Sequence, residues 1–182
     1  RLSREFYPDK KPASQNSDFI PQVPQFFAPL PDFKVNQDPF AATYPQTNPR
    51  VAILPGKSLV AVWEETRNGQ SDIFAQKYDS NGVALGSNIR INQETNPADQ
   101  FLPELGVDQN GNLVFVWVDY DSLFVYARRY DSTLTAQGSS FRVNTSPANT
   151  AWRPAVAVAP SGSFAVVWED IRSGFNAYGQ FY

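Results

Sequence analysis

The run Ser163-Phe164-Ala165-Val166-Val167-Trp168-Glu169-Asp170-Ile171-Arg172-Ser173-Gly174 decides how this chain folds, because it is the third copy of one pattern. Its earlier versions begin Ser58-Leu59-Val60-Ala61-Val62-Trp63 and Asn112-Leu113-Val114-Phe115-Val116-Trp117. Pro49, Pro103 and Pro154 precede the three copies, and Phe74, Tyr126 and Tyr178 follow them. All three markers keep a period of roughly 50 residues, the length of a repeated multi-stranded unit. The near-continuous apolar run before each Trp fits a strand buried on both faces, as in stacked sheets. Repeats of this kind point to propeller blades.

Each copy resolves into four short strands. Strand one follows the Pro: Arg50-Val51-Ala52-Ile53, Glu104-Leu105-Gly106-Val107 and Ala155-Val156-Ala157-Val158. Tight turns come next, at Leu54-Pro55-Gly56-Lys57, Asp108-Gln109-Asn110-Gly111 and Ala159-Pro160-Ser161-Gly162. Asn110-Gly111 is a strong hairpin signal, since both residue types tolerate positive φ. Strand two carries the Trp, which is expected to pack between neighbouring blades. Strand three alternates, as in Ile73-Phe74-Ala75-Gln76-Lys77-Tyr78. Strand four is expected at Ile89-Arg90-Ile91-Asn92 and Phe141-Arg142-Val143-Asn144. The fold class is all-β, with three four-stranded propeller blades in residues 33–182.

The third copy reaches Tyr182 without a fourth strand, while Phe33-Lys34-Val35-Asn36 carries that strand's pattern at the front. Residues 33–36 are therefore expected to close the last blade. Three blades fall below the usual range of about four to eight. Two chains would supply six, each completing the other's last blade in a C2 homodimer with exchanged strands. A longer chain with further blades is the alternative, ahead of a closed three-bladed ring.

Residues 1–32 read differently. Prolines at short intervals forbid a helix and favour an extended path. Phe19, Ile20, Val23, Phe26, Phe27 and Leu30 make this arm too apolar for a solvated spacer. It is expected to lie against a protein surface, its own or a partner's.

Composition narrows the function classes. Hydrophobic residues make up 42% of the 182, enough for a core, and the 15 Pro and 10 Gly break any long helix. Lys and Arg number 15 against 18 Asp and Glu with no basic block, which argues against nucleic acid. No segment reaches the roughly 18 apolar residues of a membrane span. Cys, His and Met are absent. A first residue that is not Met is expected to follow removal of an upstream signal. With the missing cysteines it suggests an exported bacterial protein, at the periplasm, cell surface or beyond. Nucleophilic triads generally need a His or Cys base. Asp79-Ser80-Asn81-Gly82 and Asp108-Gln109-Asn110-Gly111 lack the distal Glu of a calcium loop, so no metal and no cofactor is expected.

The string Trp168-Glu169-Asp170-Ile171-Arg172-Ser173-Gly174, followed by strand three and by segments like Phe141-Arg142-Val143-Asn144, resembles a repeat of large secreted and cell-surface bacterial proteins. The resemblance covers residues 33–182. It implies a β-propeller-like fold and brings no catalytic residue with it. The middle copy departs most, with Val118-Asp119-Tyr120-Asp121 in place of the acidic-Arg-Gly loop.

In a blade, the loops joining strands two and three share a face with the inter-blade connections. That face should collect Glu64, Arg67, Asp119, Tyr120, Glu169 and Arg172 from the loops, and Phe101, Trp152 and Arg153 from the connections. Two functional readings compete. The first is a non-catalytic exported scaffold module that assembles with itself or a larger complex through its blades and arm. The alternative is a lectin-like glycan binder, with aromatic faces stacking on sugars and polar groups meeting their hydroxyls. A glycosidase using two of Glu64, Asp119 and Glu169 ranks last, because near-equivalent blades would not split carboxylate environments. No enzyme activity is expected.

Overall fold

The computed structural model describes residues 32–36, 44–67, 69–93, 98–145 and 150–182. The arm residues Phe19, Ile20, Val23, Phe26, Phe27 and Leu30 lie outside them. The chain divides into Arg1–Phe33 and Lys34–Tyr182, and the blades belong to the second unit.

Three antiparallel sheets follow one another along the sequence. The first contains β1 (Gln46–Ile53), β2 (Leu59–Glu65), β3 (Asp72–Tyr78) and β4 (Ala84–Arg90), paired in that order. The second repeats it with β5 (Gln100–Val107), β6 (Leu113–Asp119), β7 (Phe124–Tyr130) and β8 (Phe141–Arg142). In the third, β9 (Ala151–Val158), β10 (Phe164–Asp170) and β11 (Asn176–Phe181) form a three-stranded sheet. These are blades of a β-propeller. Their register is the same throughout, with Trp63 opposite Phe74, Trp117 opposite Tyr126 and Trp168 opposite Tyr178.

The middle strands explain why the sheets stack. Residues Val60 and Val62 of β2 face the second blade, where Leu113, Phe115, Trp117 and Tyr130 meet them. On the opposite face of β6, Val114, Val116 and Val118 meet Phe164, Val166 and Trp168 of the third blade. Each Trp thus packs towards the preceding blade. Trp63 does the same against Val35, together with Ala61 and Phe74. A tyrosine at the end of each third strand ties the same seam. Tyr130 donates its hydroxyl to the carbonyl of Ile91 at 2.8 Å and Tyr182 to that of Val143 at 3.2 Å. Tyr78 donates to the carbonyl of Val35.

Several local features differ from the sequence expectation. Strand one does not begin after the Pro but runs through it, and each copy carries a bulge there. The bulge centres on Asn48, Leu102 and Arg153, whose φ angles are +50°, +53° and +46°. These are non-glycine residues directly before proline, a place where helical backbone is disfavoured. Such conformations cost about 1–3 kcal/mol each and persist only where surrounding contacts hold them. In the turn of the second blade only Gly111 takes positive φ, at +83°; Asn110 does not. Asp108 organises that turn instead, its carboxylate accepting the N–H groups of Asn110 and Asn112 at 2.8 and 2.9 Å. Asp79 does likewise, and the N–H groups of Val83 and Asn81 lower its carboxyl below the usual range. The first copy has a 3-10 turn, Pro55–Lys57, at this place.

Strand four also shifts. β4 begins at Ala84 and stops at Arg90, before Asn92. The Asn92 side chain explains the stop, because its Oδ1 accepts the Ile73 N–H at 2.9 Å in place of a ladder carbonyl. Asn144 accepts the Val125 N–H in the same way.

Trp117 is fully buried at the first seam. Trp117→Ala should lower stability by about 3–5 kcal/mol, as for other buried aromatic truncations. Urea unfolding followed by tyrosine and tryptophan fluorescence measures it, and a loss below about 1 kcal/mol would contradict this packing.

Candidate functional site

β1, β5 and β9 touch in succession and make the inner edge of the arc. Their N-terminal ends meet the loops of strands two and three at one rim. Between the first two blades this rim opens into a cavity of about 450 Å³ lined by Pro45, Thr47, Asn48, Glu64, Thr66, Ser71, Asp99, Phe101, Leu102, Tyr120 and Trp152. Three rings crowd one wall. Phe101 meets Trp152 with centroids 4.7 Å apart and Tyr120 at 5.5 Å, both edge to face.

Glu64 also lines the cavity. Its carboxylate accepts the Thr47 hydroxyl and the Asn48 amide, each at 2.8 Å, and the Leu102 backbone N–H at 2.5 Å. Asn48 and Leu102 are two of the left-handed bulge residues, so one carboxylate braces the strained backbone of two blades. Asp99 is the second carboxylate of the cavity. Its Oδ1 accepts the Ser71 N–H at 2.6 Å, and its carbonyl accepts the Tyr120 N–H at 2.8 Å.

Of the residues singled out from sequence, Glu64, Phe101, Tyr120 and Trp152 come together here. The others do not. Glu65 and Asp170 stand two places after a Trp, and each accepts that indole N–H, at 2.9 and 3.2 Å. Arg67 and Arg172 then pair with these same carboxylates at 2.6 and 2.7 Å. Both guanidinium groups lie over strand-three rings, Arg67 on Phe74 and Arg172 on Tyr178, at 3.9 Å. They hold the loops rather than face the cavity.

Asp119 occupies the position of Glu65 and Asp170, not that of Glu64 and Glu169. It is buried and accepts Gln100 Nε2 at 2.8 Å and the Ser122 hydroxyl at 2.7 Å. The Trp117 indole N–H is left buried without a partner. Glu169 and Arg153 form an exposed pair at 3.4 Å on the open side of the third blade. The three carboxylates expected to recur around the ring are therefore not equivalent, and only Glu64 lines the cavity. Asp99, which sequence reasoning passed over, is its neighbour there. The one signal for it was its place two residues before Phe101 in an inter-blade connection.

No protein-family model matches the sequence, and no curated protein does. Solved structures do match in fold. An α-L-arabinanase from Penicillium chrysogenum superposes with a TM-score of 0.52 at 15% identity, over 74% of this chain and 45% of its own. An endo-arabinase from Bacteroides thetaiotaomicron gives 0.52 at 10% identity, over 85% of this chain and 61% of its own. An α-L-arabinofuranosidase from Fusarium graminearum gives 0.53 at 13% identity, over 74% and 45%. The chain thus spans between 45% and 61% of the length of these structures. Their likeness is one of fold. It corrects the functional expectation, because the propellers that this chain resembles are carbohydrate-cleaving enzymes. Neither the non-catalytic scaffold reading nor the exclusion of enzyme activity stands beside them.

The loop carboxylate Asp170 sets an acid limit. Burial raises its pKa, but the Arg172 side chain and N–H, the Trp168 indole and the Arg172 charge outweigh it and hold the carboxyl at about 2. A depressed folded-state pKa stabilises the protein above the unfolded value, and that contribution fades as pH falls through the folded one. The contribution of Asp170 should be complete above its ordinary value of 3.8 and disappear towards about 2. Asp170→Asn should lower stability at neutral pH and flatten this acid limb in pH-dependent urea unfolding. An unchanged limb would refute the assignment.

Proposed function

We propose that the cavity between the first two blades recognises carbohydrate and that the chain is part of a carbohydrate-active propeller. One observation carries this reading. Phe101, Trp152 and Tyr120 share an open cavity with Glu64, Asp99, Thr47 and Asn48. Sugars offer apolar C–H faces to aromatic rings and hydroxyls to carboxylates and amides, and a few polar groups among apolar walls is the general recipe for such pockets. The fold likeness to arabinose-processing enzymes makes arabino-oligosaccharides the first ligand class. A location outside the cytoplasm fits polymeric substrates of this kind.

A second reading, hydrolysis in the same cavity, is favoured by its two carboxylates. Glu64 is held by three donors while Asp99 Oδ1 takes one backbone N–H. Unlike surroundings are what a division between proton donor and partner carboxylate requires.

Calorimetric titration with linear arabino-oligosaccharides should show binding that Trp152→Ala and Phe101→Ala each weaken at least about tenfold, or 1.4 kcal/mol. Melting temperatures should stay near that of the parent, since both rings sit at the half-buried rim. Failure of the parent to bind any of them would overturn the ligand class. Release of reducing ends that Asp99→Asn abolishes, with binding retained, would establish the hydrolytic reading.

A further inference from the structure

Lys34-Val35-Asn36 occupies the place of a fourth strand in a blade that precedes the first. The comparison is residue by residue. Val35 packs on Trp63, as Ile91 packs beneath Trp117 and Val143 beneath Trp168. The carbonyls of Val35, Ile91 and Val143 each accept a tyrosine hydroxyl from the following blade. Asn36 corresponds to Asn92 and Asn144, whose Oδ1 atoms accept the N–H of the second residue of strand three in their own sheets. The Asn36 amide nitrogen is buried without a partner.

The complement of this strand exists at the other end of the arc. β11 is the outer strand of a three-stranded sheet, paired with β10 on one edge and with no strand on its other edge among the described residues. The face beside it is bare and apolar. Val167 is 50% exposed, whereas its counterparts Val62 and Val116 are 0% exposed beneath the next blade. On the first blade, Val51 and Ile53 are 63% and 70% exposed. Their counterparts Leu105 and Val107 pack into the seam between the first two blades. Apolar faces of this kind mark contacts that remain to be made.

We propose that a second copy of this chain covers both faces. Each copy inserts Lys34–Asn36 beside β11 of the other, completing the other's third blade. The third blade then stacks on the first blade of its partner at two identical seams. The contact is isologous, so it closes as a two-fold dimer. The result is a ring of six blades, inside the usual range. Within one chain the second blade stands between the strand and β11, so the pairing is made in trans. Register follows from the other blades. Arg90 lies opposite Phe74 and Arg142 opposite Tyr126, which sets Lys34 opposite Tyr178 of the partner.

The chain contains no cysteine, so a disulfide trap has no background. Lys34→Cys protein mixed with Tyr178→Cys protein should form a mixed disulfide dimer under mild oxidation, whereas Lys57→Cys mixed with Tyr178→Cys should not. Light scattering on the unsubstituted protein should give twice the chain mass, a readout that no substitution can disturb. A single-chain mass at tens of micromolar overturns the proposal. So does a disulfide that forms within one chain of the double variant, since that would mean closure in cis.

Discussion

A strand that is apolar on both faces cannot exist in a lone sheet. β2, β6 and β10 are such strands, and everything else in the structure answers to their need for a neighbour on either side. The need is met differently at each position. β6 has it in full, with the first blade over Trp117 and Phe115 and the third over Val116 and Val118. β2 has one whole blade and the short cover of Val35. β10 has one blade and leaves Val167 open. Stability is therefore unevenly distributed along the arc, greatest in the middle and least at its ends. This is the behaviour of a stacked repeat, where each unit contacts only those beside it.

The polar residues at the rim solve a second problem created by that stacking. Strands buried on both faces must end in loops that still satisfy their indole and backbone donors. In the outer two blades a carboxylate and an arginine do this together, with the guanidinium placed over the facing ring. The middle blade gives up the arginine, and Gln100 and Ser122 take the carboxylate instead. Its loop then places Tyr120 over Phe101. The unpartnered Trp117 indole is the local cost of that exchange.

Much of this was visible in the residues. The period of Trp63, Trp117 and Trp168 exposed the blades, because burial on both faces demands an apolar run that no other short element needs. Phe101 and Trp152 were recognisable at the rim, since large aromatics there stand out against Thr47 in the same place. What escaped were arrangements made by side chains reaching across copies. Asp119 looked like a partner of Glu64 because both follow a Trp, yet a one-place offset sends them to different faces of the sheet. Arg67 and Arg172 looked free to meet a ligand, and only the fold shows rings beneath them. The strands running through Pro49, Pro103 and Pro154 contradict a sound local rule, and tertiary contacts such as the Glu64 brace are what overrule it. Asp99 offered only its place two residues before Phe101, because its contact is with Ser71 in a loop of the first blade.

The bulges before those prolines make the backbone indifferent to the residue that stands just ahead of them. Thr47, Phe101 and Trp152 share one main-chain position, yet one is a small hydroxyl and two are large rings of different shape. The kinked main chain that presents each of them recurs in all three copies, so side chains of different size leave the backbone from the same place. A rim built this way behaves as a set of interchangeable sockets. Single substitutions at one such place change the rim locally and leave the other two as they were.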